Sequence, residues 1–336
     1  MTNDEIIKMQ QELIRTQQML LQLSNPQQIQ QHNVTEDKNN LLFRECADYY
    51  MRQNKNNMRK SSYANAEWLL KKHILPYWGN VPIKNITNKT MQEYIDSHVN
   101  EYAIKTVKDF VAQIKTILNF CATDELITFK VLKVRYPKIE RDEYVMPNLE
   151  EINKMRTWCV ENKDKNTLSV LLAIETGMRI GEICGLKWED IDLENKVISI
   201  NKTVQRICNN GTKSTISVGP PKTASGNRKI PISDILHDVL FQFKSDGYLY
   251  VSSGKVTPNE PRTLRQYFDR LLKKIGLPHY KFHSLRHNFA TRAIANGIDP
   301  KTVASILGHS NCDITLNIYT SVTNEMMNDA LTKMNS

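Results

Sequence analysis

Apolar residues recur three and four positions apart along most of this chain, and strand-like alternation is confined to one stretch past its middle. Residues 41–142 read as helices alone. Phe43, Ala47 and Tyr50 fall on one side of a helix over 41–52. A second helix carries Tyr63, Trp68, Leu69 and Ile74, with Ser61 or Ser62 as its cap, and Leu75-Pro76 is predicted to end it. Thr87 opens a third, through Met91, Tyr94 and Ile95. The fourth runs from about Ala103 to Ala122 on a stripe of Val107, Val111, Ile114, Ile117 and Leu118. Tyr136 to Pro147, with two prolines and mixed charge, reads as a linker.

The pattern changes at Asn148, a helix cap ahead of Leu149-Glu150-Glu151-Ile152. Thr167 to Thr176 is a strongly apolar helix stopped by Gly177, and Arg179 to Leu186 a short one followed by a turn over Trp188 to Asp192. Val197–Ile200, Ser214–Val218 and Arg228–Ile232 are predicted strands, with a loop from Pro220 to Gly226 before the last. Helices then return over 233–244, 261–275, 283–296, 300–307 and 311–319, where Ile314 and Leu316 are expected inside. A tail helix near 323–333 has an apolar stripe of Val322, Met326, Met327, Ala330 and Leu331. The expected fold is mainly α with a small antiparallel β-sheet. Its parts are an extension over 1–40, a helical domain over 41–142, an α+β domain over 148–322 and a tail over 323–336.

The extension has its own period. Ile6, Met9, Leu13, Thr16, Leu20 and Leu23 form a heptad seam, and residues 27–40 a polar linker. Two readings stay open: a helix that pairs with another, or a marginal helix that frays, because so few heptads with a Thr in the seam bind weakly.

Composition narrows the class. Hydrophobic residues make up 40% of the 336, enough for a real core. Lys plus Arg outnumber Asp plus Glu by 45 to 36, a formal charge of +9. The excess lies in both regions after residue 40, while 1–40 is net acidic. Such a spread suits a polyanion gripped from two sides. The six cysteines form no C-x-x-C pair and no zinc spacing, so reduced thiols in the cytoplasm are expected, with no metal and no cofactor. Asp4 and Glu5 argue against a signal peptide, and no apolar run approaches the roughly 20 residues of a membrane helix.

The residues with chemical potential are Arg179, Glu182, Lys222, His283, Arg286, His309 and Tyr319. Cleaving a phosphodiester needs a nucleophile, cationic donors for the non-bridging oxygens and an acid for the leaving oxygen. Arg179 stands at a helix start, where backbone N–H groups also point outward, and Glu182 is one turn on. Arginine's planar fork suits two phosphate oxygens. His283 and Arg286 share a helix face, His309 follows Gly308 in a tight turn, and Lys222 is on a loop between strands. Each has an ordinary reading alone: a surface ion pair, a capping histidine, an idle lysine, a core tyrosine. Their joint order makes the case.

At these motifs the chain resembles tyrosine recombinases of the phage-integrase family, in the style of conjugative-transposon integrases. The matching stretches are Thr176 to Leu186, Pro221-Lys222-Thr223, His283-Ser284-Leu285-Arg286-His287, Leu307-Gly308-His309-Ser310 and Ile318-Tyr319, within about residues 42–330. The resemblance implies that Tyr319 attacks the scissile phosphate to give a 3′-phosphotyrosine. Arg179 and Arg286 would clamp the non-bridging oxygens, His309 would add a hydrogen bond, and Lys222 would protonate the leaving 5′-oxygen. His283 would move the Tyr319 proton, and Glu182 would support the arginines. It further implies a C-shaped clamp on duplex DNA, a homo-tetramer on two sites, a tail that docks on a neighbouring protomer, and no need for metal or ATP. A DNA-bending accessory protein and a place with the bacterial nucleoid in the cytoplasm fit the same picture. Within the helical domain, Lys60, Ser61, Asn65, Lys105 and Thr106 lie near helix starts on the basic side and, with Lys71, are the candidate DNA contacts.

One departure stands out. Many integrases of this style begin with a small three-stranded arm-binding domain, whereas residues 1–40 show no strand pattern and are acidic. A helical protein contact is the preferred role for them. The rival functions are a type IB topoisomerase, which shares the chemistry but relaxes supercoils without strand exchange, and a silent DNA-binding protein on the same scaffold.

Overall fold

The structure is a computed structural model that describes residues 40–138, 145–162, 164–209, 213–221, 223–311, 315–316 and 318–320. The heptad seam, the 323–333 tail helix, Ile314 and Lys222 lie outside those residues. The chain divides into two compact units at residues 139 and 140.

The first unit is helical. Its elements are α1 (Phe43–Asn54), α2 (Lys60–Leu69), a π-helical turn (Leu70–Ile74), α3 (Leu75–Trp78), α4 (Asn88–His98) and α5 (Ile104–Thr123). The α5 stripe is fully buried as its spacing predicts, and meets Phe43, Ile74, Trp78, Met91, Tyr94 and Ile95 in one core. Thr87 caps α4 by accepting the Thr90 N–H at 3.2 Å.

Two expectations fail here. The helix over 61–75 does not end at Leu75-Pro76 but runs on to Trp78. A proline inside a helix has no N–H to donate and its ring crowds the carbonyl four residues back. The π turn just before Pro76 widens the helix there and relieves that crowding. Ser61 and Ser62 are not caps, because the helix starts at Lys60 with Arg59 in the cap position. Trp68, on the same helix, is 43% exposed and meets the His73 ring edge to face.

The second unit is built on a central helix. Its first helices are α6 (Leu149–Glu161), α7 (Lys165–Thr176) and α8 (Ile180–Gly185). Asn148 caps α6 as expected, accepting from Glu151 N–H at 2.9 Å. Helix α7 is buried from Thr167 to Ile174 on every side, the signature of a helix inside a core rather than on it. Ser169 turns its hydroxyl back to the Lys165 carbonyl at 2.8 Å, so its burial costs no unpaired group.

Five strands follow: β1 (Ile191–Asp192), β2 (Val197–Ile200), β3 (Thr203–Asn209), β4 (Lys213–Gly219) and β5 (Arg228–Pro231). All pair antiparallel, but in two sheets, β1-β2-β5 and the hairpin β3-β4. Strand β3 is unforeseen in the sequence. Its buried Val204 and Ile207 stand three apart, a helical spacing that hides a strand. The Trp188–Asp192 turn is a 3₁₀ turn plus the short β1.

Helices α9 (Asp234–Phe243), α10 (Pro261–Lys274), α11 (His283–Ala295) and α12 (Pro300–Leu307) complete the unit. Of these, α9, α10 and α11 pack on α7, while α12 packs on α11 and β5. Beyond α12, residues 315–316 and 318–320 are helical. Leu316 is 47% exposed, against the expectation that it is buried.

Candidate functional site

The site grows from two places where the chain takes a left-handed turn. Gly177 ends α7 at φ +63°, which turns the chain into Arg179, the residue capping α8. Gly308 ends α12 at φ +66° and delivers His309. A Cβ at Gly308 would come 2.7 Å from the Ser225 carbonyl oxygen, so the loop just after Lys222 lies against this turn.

Arg179 is fixed at both ends. Its backbone N–H donates to Glu182 Oε2 at 2.9 Å and its Nη1 to Glu182 Oε1 at 2.9 Å. Nη1 and Nη2 also donate to the carbonyls of Leu307 and Gly308, at 3.4 and 3.1 Å. Arg286, 3% exposed, donates to the Gly177 carbonyl at 2.9 Å and to the same Leu307 carbonyl at 2.7 Å. Two arginines from distant helices thus share one acceptor. The last carbonyls of α12 lack helical partners and carry the negative end of its dipole, which suits them to guanidinium groups.

A third arginine, Arg228 of β5, joins the cluster. Its Nη1 and Nη2 donate to the two oxygens of Glu182 at 3.1 and 2.9 Å, and its Nε to the Ile306 carbonyl at 2.5 Å. Glu182 is 2% exposed and takes bonds from both arginines. Burial alone would raise its pKa, but the bonds and charges of Arg228, then Arg179, hold the carboxyl below its usual range. Burial and the nearby Arg179 charge push Arg286 down to about 9, so it stays charged at neutral pH.

The histidines are held neutral. Burial first, then His287, Arg286 and Arg179, push His283 down to about 4. Burial and the charges of Arg286 and Arg179 push His309 down to about 4 as well. His309 Nδ1 lies 2.9 Å from the hydroxyl of buried Thr315. With that hydroxyl donating, the neutral ring carries its proton on Nε2 and presents a donor. His287, one turn after His283, meets it edge to face with ring centres 4.9 Å apart, and burial pushes it down too.

So the structure brings Arg179, Glu182, His283, Arg286 and His309 into one cationic cluster, with three guanidinium charges facing one carboxylate. Tyr319 sits on the helical residues just beyond Thr315 and is 44% exposed. The candidate DNA contacts belong to the first unit. Lys60, Asn65, Lys71 and Lys105 are exposed, and Ser61 and Thr106 half-buried, in the opening turns of α2 and α5 except for Lys71, which pairs with Glu67 at 2.9 Å. Among the described residues, no group of three or more His, Cys, Asp or Glu side chains could hold a metal ion.

Sequence reasoning missed Arg228 and the carbonyl row 306–308. The row is backbone and leaves no trace in residue types. Arg228 reads as one more residue of a strand with alternating burial.

Comparison with known proteins gives two family matches. Residues 146–326 match the phage integrase family, and residues 42–98 the N-terminal SAM-like domain of phage integrases. A tyrosine recombinase XerC-like protein of Caldanaerobacter subterraneus is 28% identical over 285 residues, 76% of this chain and 70% of its own length. The transposase from transposon Tn916 of Enterococcus faecalis is 27% identical over 247 residues, 67% of this chain and 60% of that relative. The Tn1549 transposon integrase, solved in complex with transposon right end DNA, shares the fold at a TM-score of 0.70 and 24% identity, over 86% of this chain and 100% of that one.

Proposed function

This chain belongs to the phage integrase family, and from that premise we propose that it is a site-specific recombinase that moves a mobile element by cutting and rejoining DNA through a phosphotyrosine. The observation that carries the reading is the pair Arg179 and Arg286, pinned by the shared Leu307 carbonyl beside neutral His309.

Tyr319 Oη bonds to the scissile phosphorus as the bond to the 5′-oxygen breaks. His283, uncharged at neutral pH, takes the tyrosine proton. Lys222 gives a proton to the departing 5′-oxygen. Arg179 and Arg286 each keep N–H groups beyond those spent on carbonyls, and these face the charge that builds on the non-bridging oxygens. Because the cluster is already ordered, little reorganisation is left for the transition state. The phosphotyrosine keeps the energy of the broken bond, so the reverse attack by a 5′-hydroxyl rejoins the strand. Duplex DNA is the substrate of both units, with the basic starts of α2 and α5 on its backbone and four protomers on two sites. The tail after Tyr319 and the 1–31 seam serve protomer contacts, and a DNA-bending protein assists where the sites need it.

The test uses duplexes selected from a random-sequence pool by the full chain, each nicked at successive central positions. The wild-type chain forms a covalent adduct on some of them. Tyr319→Phe forms none while its affinity stays within about threefold. An undiminished adduct in that variant rejects the assignment.

A further inference from the structure

The proposed mechanism uses two arginines, yet the cluster contains three. The Arg228 side chain is 6% exposed, and, unlike Arg286, it has four of its five N–H groups taken by protein acceptors, which leaves too few to clamp a phosphate. It nevertheless spends more bonds inside the site than either of the others. Two go to Glu182, at 3.1 and 2.9 Å, one to the Ile306 carbonyl at 2.5 Å and one to the Gly226 carbonyl at 3.1 Å. Those partners belong to α8, to the end of α12 and to the 223–226 segment that follows Lys222 in the chain.

The consequences follow from valence. A carboxylate has about four lone-pair positions. Glu182 fills them with Arg228 Nη1 and Nη2 and with the backbone and Nη1 of Arg179. The side chain can turn only if Arg228 releases it. If it turns, Arg179 loses the partner that sets the angle of its fork. The same guanidinium ties strand β5, which leaves the Lys222 loop, to the residue three before His309. The packing agrees: β5 and α12 are in direct contact, and a Cβ on Gly308 would come 3.0 Å from Arg228 Cδ.

We propose that Arg228 is a positioning residue for strand cleavage: it locks Glu182, and through it Arg179, and it joins the 223–226 segment to the turn that carries His309. This rests on the recombinase reading above. Arg228 acts without touching the phosphate, so its loss slows the chemical step and leaves DNA affinity in place.

The experiment uses the full chain and the selected nicked duplexes, with adduct formation followed in a single turnover at saturating DNA. Arg228→Lys keeps the charge but cannot bridge both carboxylate oxygens and a carbonyl at once. Its rate is expected to fall about 30-fold or more, with Kd changed less than about threefold. Glu182→Gln falls too, and the double variant is no slower than the slower single, because both changes cut one link. Arg228→Gln, which keeps hydrogen bonds but no charge, gives a second route if the lysine variant does not fold. A folded Arg228→Lys that cuts within about threefold of wild type overturns the proposal. So do losses that multiply in the double variant, or a failure of both Arg228 variants to fold. Absence of any adduct from the wild-type chain would instead reject the recombinase reading itself.

Discussion

The two units bury different chemistry. In the first, the described interior is aromatic, aliphatic and thiol, and its charges stay in water. In the second, Glu182, Asp190 and Arg286 are all buried, along with Thr167, Ser169, Thr176 and Asn288. A unit that only has to hold a polyanion can leave its cations solvated and mobile. A unit that must present cations at fixed angles has to take them out of water, at a desolvation cost that only dense hydrogen bonding offsets. The shared carboxylate and the carbonyl row at 306–308 are that offset.

The sharpest way to break this contrast is Arg286→Ala. It should cut adduct formation at saturating DNA by about 10²–10³ or more, in a chain that still binds the selected duplex. A loss confined to folding, seen as a lower Tm with a normal rate, would make the second interior no different in kind from the first. The mirror experiment is Ile114→Ala in the fully buried α5 stripe. Urea unfolding should show about 2–5 kcal/mol lost, and the cleavage rate at saturating DNA should hold within about threefold. A large rate loss there would mean that the first unit shapes the chemistry directly.

Acid should separate the units next. His283 and His309 sit near 4 when folded, below the ordinary 6.5, so the unfolded chain takes up protons first. Their contribution to stability is whole above about pH 6.5 and is lost as pH falls toward 4. His309→Asn should flatten the fall of Tm across that window; an unchanged slope would place the acid sensitivity elsewhere. The smallest effect belongs to the exposed cations. Lys60→Ala or Lys105→Ala should weaken DNA binding a few-fold and reduce the salt slope by about one, with stability within about 0.5 kcal/mol. A loss that does not depend on salt would remove them as phosphate contacts.

What could be read from the sequence follows the same division. The α5 stripe, the caps at Thr87 and Asn148 and the stops at Gly177 and Gly308 are local signals, each decided within one turn of chain. Pairing Arg179 with Glu182 was legible for the same reason. The errors arise where a distant partner decides. The chain passes Pro76 because a π turn absorbs it. Arg228 acquires its meaning only when residues 182 and 306 arrive beside it.

That late arrival has a consequence for the protein's birth. Synthesis at about 5–20 residues per second separates Glu182 from the 306–308 carbonyls by on the order of ten seconds. Throughout that interval Arg179, and for its later part Arg228, exist without the carbonyls that order them. A half-made chain therefore lacks the carbonyls that set the geometry of its arginines. Refolding followed by pulsed hydrogen exchange should find the α5 amides protected well before the Arg179 amide, which waits on the whole cluster; simultaneous protection would show that the order of manufacture is not the order of assembly.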